Sequence, residues 1–445
     1  MAKEESSNKG KPKKSTTSRT GRFLKLAGMT ASVASRYASD RVVNAFVSEE
    51  TKAGRLAKSY EKMADDVTQT LGELKGAVMK VGQIASQTQD FLPKEFSNAL
   101  QKLQKEAPPM PYETIAEQIE SELGGSPEVV FKHFSREPYA AASIGQVHRA
   151  VTLDGEEVIV KVQYPGVDES CDSDLRQLRT ALKLGGLLKI PKQQVDQLFA
   201  EIRTRIQEEL DYENEAENIR AFQAFHRDDA GVLIPSVIEA LSSRRVLTLE
   251  WLEGDHINNL DPERYDQEVV NMIGHRIFTT MADQLFRFQC IHGDPHAGNF
   301  AFRPDGTLIM YDFGCVKKLK PGVVDAYKAA LQAGIQGDYR QLDQRLIDLG
   351  VRVEGKPAIG EDYYAMWRDI FIRPFANASQ VYDFGEANLH QLVAKNATSV
   401  FKYLDSFQPP VETIFIDRMI AGHYWMMKKL GVQAAFRPEL DAYLA

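Results

Sequence analysis

The sequence predicts an α+β fold of two lobes preceded by a helical N-terminal extension. Its 445 residues are too many for one compact core and enough for two lobes with an extension. Apolar residues alternate in two neighbouring runs, 138–152 and 156–164, which is typical of strands. From residue 267 onward the apolar spacing is mostly helical. Hydrophobic residues make up 43% and charged residues 26%, the composition of a soluble globular protein.

The start of the chain is basic, whereas the rest is acidic. Residues 1–30 carry a net charge of +6, so the remainder carries −14. We expect residues 1–20 to form a disordered basic tail, with contact to anionic lipid headgroups as the alternative. The tail lacks the long apolar run of a signal peptide, and its early glutamates argue against a transit peptide.

Cysteine usage and hydropathy indicate the compartment. Cys171, Cys290 and Cys315 form no CxxC pair, so we expect neither a disulfide framework nor a zinc site. No stretch reaches about 18 uninterrupted apolar residues, so no transmembrane helix is predicted. We expect a cytoplasmic protein, peripheral at the inner membrane, without a nucleic-acid partner.

The predicted elements divide the chain into four parts. Residues 1–20 are the tail, 21–111 the helical extension, 112–252 the first lobe and 253–445 the helical second lobe. Helices are predicted at 23–47, 52–105, 112–123, 168–185, 192–226 and 267–290, and strands at 138–152, 156–164, 244–252, 299–303 and 307–311. The first helix would lie on a membrane, on a partner helix, or on the protein's own body.

Three polar residues follow one another at the spacing that phosphoryl transfer needs. Magnesium prefers oxygen ligands, commonly one or two side chains with phosphates and water. Asp294 would lie near the reacting hydroxyl or water, Asn299 would offer an amide oxygen to the metal, and Asp312 would bridge metal and phosphates. Asp294 and Asn299 are five apart, as in the kinase loop HRDxxxxN, and Asp312 opens an Asp-Phe-Gly triplet. This order predicts a protein-kinase-like fold that binds ATP with Mg²⁺.

A second Asp-Phe-Gly triplet, at 383–385, has no HxDxxxxN at a suitable distance upstream, so we predict a turn there.

A lysine on a strand of the first lobe should hold the phosphates. The run Val158-Ile159-Val160-Lys161 fits the VAIK pattern, so Lys161 is the candidate. Its ion-pair partner should be a glutamate on a helix, and the acidic stretch 208–218 offers several.

Two departures from ordinary protein kinases concern the substrate side. In place of a glycine-rich loop the chain has Ala140, Ala141, Ala142 and Ser143, and alanine restricts how such a loop approaches phosphates. Helical sequence resumes near Val323, shortly after the first Asp-Phe-Gly, and no APE motif follows. We therefore expect the platform for a protein substrate to be absent.

These motifs together resemble the UbiB family of atypical kinases, which includes the aarF-domain-containing kinases of mitochondria. The resemblance spans roughly residues 20–430. The motifs that carry it are KVGQ (80–83), AAASIGQVHRA (140–150), VIVKVQYPGV (158–167), ELDYENEAEN (209–218), HGDPHAGN (292–299) and YDFG (311–314).

The resemblance implies further site residues. Lys80 and Gln83 would lie on one helix face over the active site, where a peptide substrate would otherwise bind. Lys80 would pair with Glu209, and Asp211 would stay near the metal. Glu215 would be the helix partner of Lys161. The backbone of residues 249–252, including Glu250 and Leu252, would bind adenine.

The resemblance also implies a function. Such proteins behave as ATPases or unorthodox kinases that support ubiquinone (coenzyme Q) biosynthesis and related isoprenoid-lipid handling at membranes. A lipid or quinone-precursor ligand and contact with quinone-biosynthesis enzymes would follow. Many bacterial members end in a hydrophobic anchor, whereas this sequence ends at Ala445 without one, so we expect membrane contact through the helix at 23–47.

Two other functions are compatible with the motifs. Aminoglycoside and choline kinases share HGDxxxxN and a short activation segment, which would make the protein a small-molecule or lipid kinase that phosphorylates a hydroxyl acceptor. They lack KxGQ and the alanine loop. A nucleotide-gated scaffold without activity has no chemical need for Lys161, Asp294, Asn299 and Asp312 together.

Two residues near these motifs receive no catalytic role from the sequence. His296 is expected to make a structural hydrogen bond within its loop. Arg418 lies in the apolar helical stretch 409–426, matches a family pattern, and is expected to pack against the second lobe.

Overall fold

A computed structural model describes residues 19–44, 109–141, 144–184 and 192–445, together with positions 62, 63, 70 and 98. The chain divides into two compact units. The first comprises the described residues of Met1–Asn214 and Val237–Glu250, and the second comprises Glu215–Ser236 and Trp251–Ala445. The predicted division into four parts at residues 20, 111 and 252 stays a prediction.

The first unit consists of an antiparallel sheet and helices. Its helices are α1 (Arg19–Asn44), α2 (Tyr112–Leu123), the single turn α3 (Pro127–Val130), α4 (Val167–Leu184) and α5 (Lys192–Glu209). Its strands are β1 (His133–Phe134), β2 (Ala140–Ala141), β3 (Gly145–Val151), β4 (Glu157–Gln163) and β6 (Val246–Glu250), in the order β1-β3-β4-β6 with β2 paired to β3. Helix α2 ends at Gly124, whose φ of 77° gives the left-handed C-cap that glycine favours.

One face of this sheet and the surrounding helices form the core of the first unit. Val158, Val160 and Val162 alternate along β4 and are buried in that core. Leu26, Met29 and Val33 of α1 belong to the same core, and α1 packs along α4. The described part of α1 therefore buries an apolar stripe against its own unit, which was one of the arrangements predicted for this helix.

The second unit is mainly helical and carries short strands. Its helices are α6 (Tyr212–Phe225, whose first turn belongs to the first unit), α7 (Gln267–Ala282), α8 (Val323–Gln336), α9 (Tyr339–Asp348), α10 (Glu361–Phe371), α11 (Leu389–Phe401), α12 (Val411–Leu430) and α13 (Arg437–Leu444). Its strands are β5 (Val232–Leu233), β7 (Cys290–His292), β8 (Phe300–Phe302), β9 (Leu308–Met310), β10 (Val316–Lys318), β11 (Tyr382–Asp383) and β12 (Gln433–Ala434).

Three small sheets fix the loops of the second unit. Strands β8 and β9 form an antiparallel hairpin, and β5 adds to β9 in parallel. Strand β7 pairs with β10, with His292 opposite Val316. Strand β11 pairs with β12, and the second Asp-Phe-Gly triplet enters a turn directly after Tyr382–Asp383. The predicted turn at 383–385 is confirmed.

Two predicted helices differ from the observed elements. The helix predicted at 192–226 is broken between α5 and α6, because Asp211 Oδ1 accepts from Asn214 N–H at 3.0 Å and caps α6. The segment predicted as a helix at 267–290 is α-helical as far as Ala282. A π-helical turn follows over Asp283–Arg287, and β7 begins at Cys290. Cys290, the last residue of the predicted helix, instead begins β7, which pairs with β10.

Within the described ranges, no helix combines the length and the apolarity needed to cross a lipid bilayer.

Candidate active site

Asp294 and Asn299 are held together by the backbone of one short loop. Strand β7 leads into the loop, and a 3₁₀ turn over Ala297–Asn299 leads out of it into β8. Asn299 Nδ2 donates to the carbonyl oxygen of Asp294 at 3.0 Å. His296 Nδ1 accepts from Gly298 N–H at 3.1 Å, so the structural hydrogen bond predicted for His296 is confirmed.

The β8–β9 hairpin brings Asn299 next to the Asp-Phe-Gly triplet. Phe300 lies opposite Met310 in the hairpin, and Tyr311 N–H donates to the Asn299 carbonyl at 2.9 Å. Asp312 follows immediately, and its Oδ1 accepts from Gly314 N–H at 3.1 Å. The amide and the carboxylate predicted to bind magnesium therefore leave the same end of one hairpin.

His292 fixes the backbone of Asp312. Its side chain is buried, and Nε2 lies 2.6 Å from the Asp312 carbonyl oxygen. Because a carbonyl only accepts, Nε2 must carry the proton. Burial lowers the pKa of His292, although the bond to Asp312 and the nearby aspartates oppose this shift. His292 is therefore a neutral structural donor to the loop.

Helix α6 holds Phe313 through its backbone. Glu215 is buried, and its Oε1 accepts from Phe313 N–H at 3.3 Å. Asn218, one turn further along α6, donates to the Phe313 carbonyl at 3.0 Å. The Phe313 ring is fully buried and packs against Phe222 and His292. Glu215 thus contacts the Asp-Phe-Gly segment, while its predicted pairing with Lys161 stays a prediction.

Arg418 contacts the predicted catalytic aspartate. Its Nη2 lies 2.7 Å from Asp294 Oδ1, with side chains 28% and 38% exposed. The sequence predicted only packing for Arg418, and so missed this ion pair between residues 124 positions apart. A charged side chain in the middle of a largely buried helix was the available signal, because such a residue normally requires a partner.

In the first unit, Lys161 lies on the sheet face opposite the valine core. Across the strands it is opposite Val147 on one side and Leu247 on the other, and Ala140 lies opposite Val147. Antiparallel partners share a face, so Ala140 and Lys161 are on one side of the sheet. Lys161 Nζ lies 5.5 Å from the centre of the Tyr212 ring. Ala141 pairs with Gln146 at the end of the same hairpin.

The break between α5 and α6 is tied to β4. Gln163, two residues after Lys161 and on the same sheet face, donates to the Leu210 carbonyl at 2.9 Å. Glu209 is the last residue of α5, and Asp211 caps α6. Capping gives Asp211 a structural role that the sequence did not predict. Its predicted place near the metal stays a prediction.

The predicted adenine-binding segment begins with the last two residues of β6 and continues beyond the strand. Glu250 is the last residue of that strand and lies opposite Val158. In the second unit, the Leu252 carbonyl accepts from the Tyr311 hydroxyl at 2.8 Å. One lone pair of that carbonyl is thereby engaged within the protein. Lys80, Gln83, Ala142 and Ser143 lie outside the described residues.

The donors at the hairpin fit a kinase-type magnesium site. Because the Asp294 carbonyl can only accept, the nitrogen of the Asn299 amide faces it and Oδ1 faces away. Asn299 Oδ1 and the Asp312 carboxylate are hard oxygen donors of the kind magnesium prefers. In the described ranges no three His, Cys, Asp or Glu side chains cluster as a metal site. Such a cluster is not required here, because phosphates and water complete the magnesium shell in kinases.

A sequence comparison agrees with this geometry. Residues 102–346, more than half of the chain, match the model of the ABC1 atypical kinase-like domain. The chain belongs to this family. The resemblance predicted from the motifs is confirmed, and so is the α+β, protein-kinase-like fold.

Named relatives of this ABC1-family chain cover most of its length. It is 29% identical to the probable serine/threonine-protein kinase abkA of Dictyostelium discoideum, over 95% of this chain and 78% of that protein. It is 28% identical to the mitochondrial atypical kinase COQ8B of Danio rerio, over 98% of this chain and 70% of that protein. A solved structure of Rv3197 with erythromycin from Mycobacterium tuberculosis superposes with a TM-score of 0.57 at 28% identity, covering 87% of this chain and 97% of that one.

Proposed function

We propose that this protein is an atypical kinase-like ATPase that uses ATP with Mg²⁺ and supports ubiquinone biosynthesis or related isoprenoid-lipid handling. The observation that carries the proposal is the β8–β9 hairpin, which sets Asn299 beside the Asp312 segment through the Tyr311–Asn299 hydrogen bond of 2.9 Å. Membership of the ABC1 family supports an atypical kinase-type site.

Each side chain of the site has a separate task in the proposal. Asp312 and Asn299 would hold the metal ion, which when bound neutralises charge on the phosphates. Lys161 would hold the phosphates, and Asp294 would orient the attacking water. The water oxygen forms a bond to the terminal phosphorus as the bond from that phosphorus to the ADP oxygen breaks. The proton of the water leaves through Asp294 or with the product phosphate.

The short segment after the Asp-Phe-Gly triplet supports a non-protein acceptor. Strand β10 begins at Val316, two residues after Gly314, and pairs back onto β7. Helix α8 begins at Val323. The intervening residues contain no long loop of the kind that positions a peptide in protein kinases. Water, or a small or lipid alcohol, is therefore the acceptor that we propose.

The lipid part of the proposal rests on the relatives. One is named as a COQ8-type mitochondrial atypical kinase, and another was solved with erythromycin, a bulky and largely apolar small molecule. We propose that a lipid or quinone-precursor ligand engages this chain, with peripheral membrane contact and quinone-biosynthesis enzymes as partners. The alternative is a small-molecule or lipid kinase that transfers the phosphoryl group to a hydroxyl, which the short segment after Gly314 would equally accommodate.

Turnover assays separate these functions. Purified protein would be incubated with ATP and Mg²⁺, with and without liposomes and phenolic lipid mimics, and ADP and phosphate release would be measured. Hydrolysis predicts equal amounts of ADP and inorganic phosphate and stimulation by the lipids. Mass spectrometry would detect a phosphorylated alcohol, which would favour the kinase alternative. A wild-type protein without magnesium-dependent ATP turnover under any of these conditions would contradict the proposal.

A further inference from the structure

Helix α12 supports the HGDPH segment at three positions on successive turns. An ideal Cβ at Gly293 would lie 2.9 Å from the Phe415 ring, so the loop backbone rests on that ring. Arg418 binds Asp294 one turn later, and Gly422 lies against Pro295 one further turn along. Positions 415, 418 and 422 are neighbours on one helix face. One rigid helix therefore sets the height and the orientation of the loop.

An adjacent face of α12 is anchored in the second unit. Ile416, Met419, His423 and Met426 are all buried. Their spacing gives a buried stripe that fixes the rotation of the helix. Since Arg418 lies between two of these anchors, its guanidinium is presented from an element that the core holds in place. Functional groups on such elements are held more accurately than those on loops.

The Arg418 guanidinium is only partly satisfied. Nη2 bonds Asp294 Oδ1, whereas Nη1 is buried without a hydrogen-bond partner among the described residues. A partly exposed ion pair contributes little to stability, whereas a buried donor without a partner destabilises the folded state. The arrangement therefore does not stabilise the fold. A side chain retained at such a cost is typical of functional positions.

We infer that Arg418 is a positioning residue for Asp294, and this inference rests on the proposed ATPase function. The guanidinium donates a hydrogen bond to Asp294 Oδ1 and thereby fixes the rotation of the carboxylate. Oδ2 is then the oxygen that would orient a water molecule or an alcohol. Arg418 also keeps a positive charge close to where the phosphoryl group is transferred.

If Arg418 has this role, kcat and the affinity for ATP depend on different residues. Asp312, Asn299 and Lys161 are proposed to bind the nucleotide, whereas the hydrogen bond of Arg418 goes to Asp294. Its loss should therefore lower kcat and leave the affinity for ATP with Mg²⁺ largely intact. A purely structural role would instead lower stability, and activity only in proportion to the folded fraction.

Substitution of Arg418 tests the inference. We expect Arg418→Gln to lower kcat for ATP turnover roughly 10- to 100-fold, the range that misplacement of a reacting group produces. The Kd for ATP with Mg²⁺ and the Tm should change little. Arg418→Lys should recover part of kcat, because it restores the cation. Added guanidinium ion should partly rescue Arg418→Ala, whereas tetramethylammonium should not, because it cannot donate a hydrogen bond.

Arg437 provides a matched control. It makes an ion pair of the same length, 2.7 Å, to Asp441 on α13, and its side chain is 22% exposed. Arg437→Gln should leave kcat unchanged. Wild-type turnover accompanied by an unchanged kcat in Arg418→Gln would overturn the inference and leave the proposed function intact. Absence of turnover in the wild type would overturn the proposed function, and the inference with it.

Discussion

Gly422 of α12 lies so close to Pro295 of the HGDPH segment that a side chain does not fit between them. A Cβ at position 422 would be 2.2 Å from Pro295 Cγ and 2.8 Å from the Pro295 carbonyl oxygen. Asp294 immediately precedes Pro295. The absence of a side chain at Gly422 therefore determines how closely the loop packs against α12.

We expect Gly422→Ala to displace the loop, because α12 is held by its buried stripe and cannot retreat. The predicted result is a loss of kcat for ATP turnover of at least about tenfold, from misplacement of Asp294. Gly334→Ala is the control, because its Cβ would meet nothing closer than 4.0 Å within α8. That substitution should leave activity unchanged and raise stability slightly through helix propensity. Equal kcat in both variants would show that the Gly422 contact does not position the loop.

A buried polar cluster ties the segment before α2 to the sheet of the first unit. Gln146 Oε1 accepts from Met110 N–H at 2.9 Å, and Gln146 Nε2 lies 3.1 Å from His148 Nε2. His148 Nδ1 lies 2.8 Å from the Ser135 carbonyl, so Nδ1 carries the proton and Nε2 accepts from Gln146. The cluster is satisfied with neutral His148, whose pKa is lowered by burial.

Gln146→Leu should destabilise the first unit by about 1–3 kcal/mol, because it leaves the buried Met110 N–H and His148 Nε2 without partners. Urea unfolding measures the change. Gln341→Leu, at an exposed position on α9, should alter stability by no more than about 0.5 kcal/mol. If the two variants unfold alike, the cluster does not contribute to stability.

Because His423 is buried, we expect the second unit to lose stability at acidic pH. Its side chain is buried on α12, and burial lowers its pKa from 6.5 to about 4, despite the bond of Nδ1 to the Met419 carbonyl. The His423 imidazole binds a proton more readily in the unfolded chain than in the folded one. The stability contributed by neutral His423 is therefore present above pH 6.5 and is lost as the pH falls towards 4. The shift corresponds to about 3 kcal/mol.

Unfolding curves between pH 7 and pH 4.5 test this dependence. The wild type should lose stability over this range, and His423→Leu should lose less. Replacement of the exposed His133 by Leu should leave the wild-type slope unchanged. An identical slope in all three proteins would exclude His423 as the cause.

The exposed side of α1 is the surface proposed for membrane contact. Leu24 is 65% exposed, whereas Leu26, Met29 and Val33 are in the core of the first unit. Removal of the whole helix would therefore damage that core, and a single substitution is the better probe. Leu24→Glu should weaken co-sedimentation with anionic vesicles. Leu153→Glu, in the β3–β4 turn with 66% exposure, should not. Equal weakening by both, or by neither, would remove α1 as the membrane contact.

Local sequence predicted the elements that local chemistry specifies. The β3–β4 hairpin turns at Leu153-Asp154-Gly155, and Gly155 has a φ of 94°, which glycine adopts without strain. Helix α2 ends at Gly124 for the same reason. The short strands predicted at 299–303 and 307–311 correspond to β8 and β9, which lie between Asn299 and Asp312.

Tertiary contacts account for what the sequence did not predict. The helix predicted at 192–226 has continuous helical spacing, and beside its break the Leu210 carbonyl accepts a hydrogen bond from Gln163 on a distant strand. The Arg418–Asp294 pair joins an apolar helix to a loop 124 residues earlier. Neither contact leaves a periodic signal, because each depends on how separate elements pack.

The most direct test of the proposed site compares the effect of one substitution in each Asp-Phe-Gly triplet on magnesium-dependent nucleotide binding. Asp312→Asn removes a carboxylate charge at the proposed ion, whereas Asp383→Asn alters a turn in which Asp383 accepts from Glu386 N–H and from Gln433. Calorimetry with ATP should show magnesium-dependent binding in the wild type and in Asp383→Asn. In Asp312→Asn this binding should weaken at least about tenfold, or about 1.4 kcal/mol. Undiminished magnesium-dependent affinity in Asp312→Asn would contradict the assignment of the site.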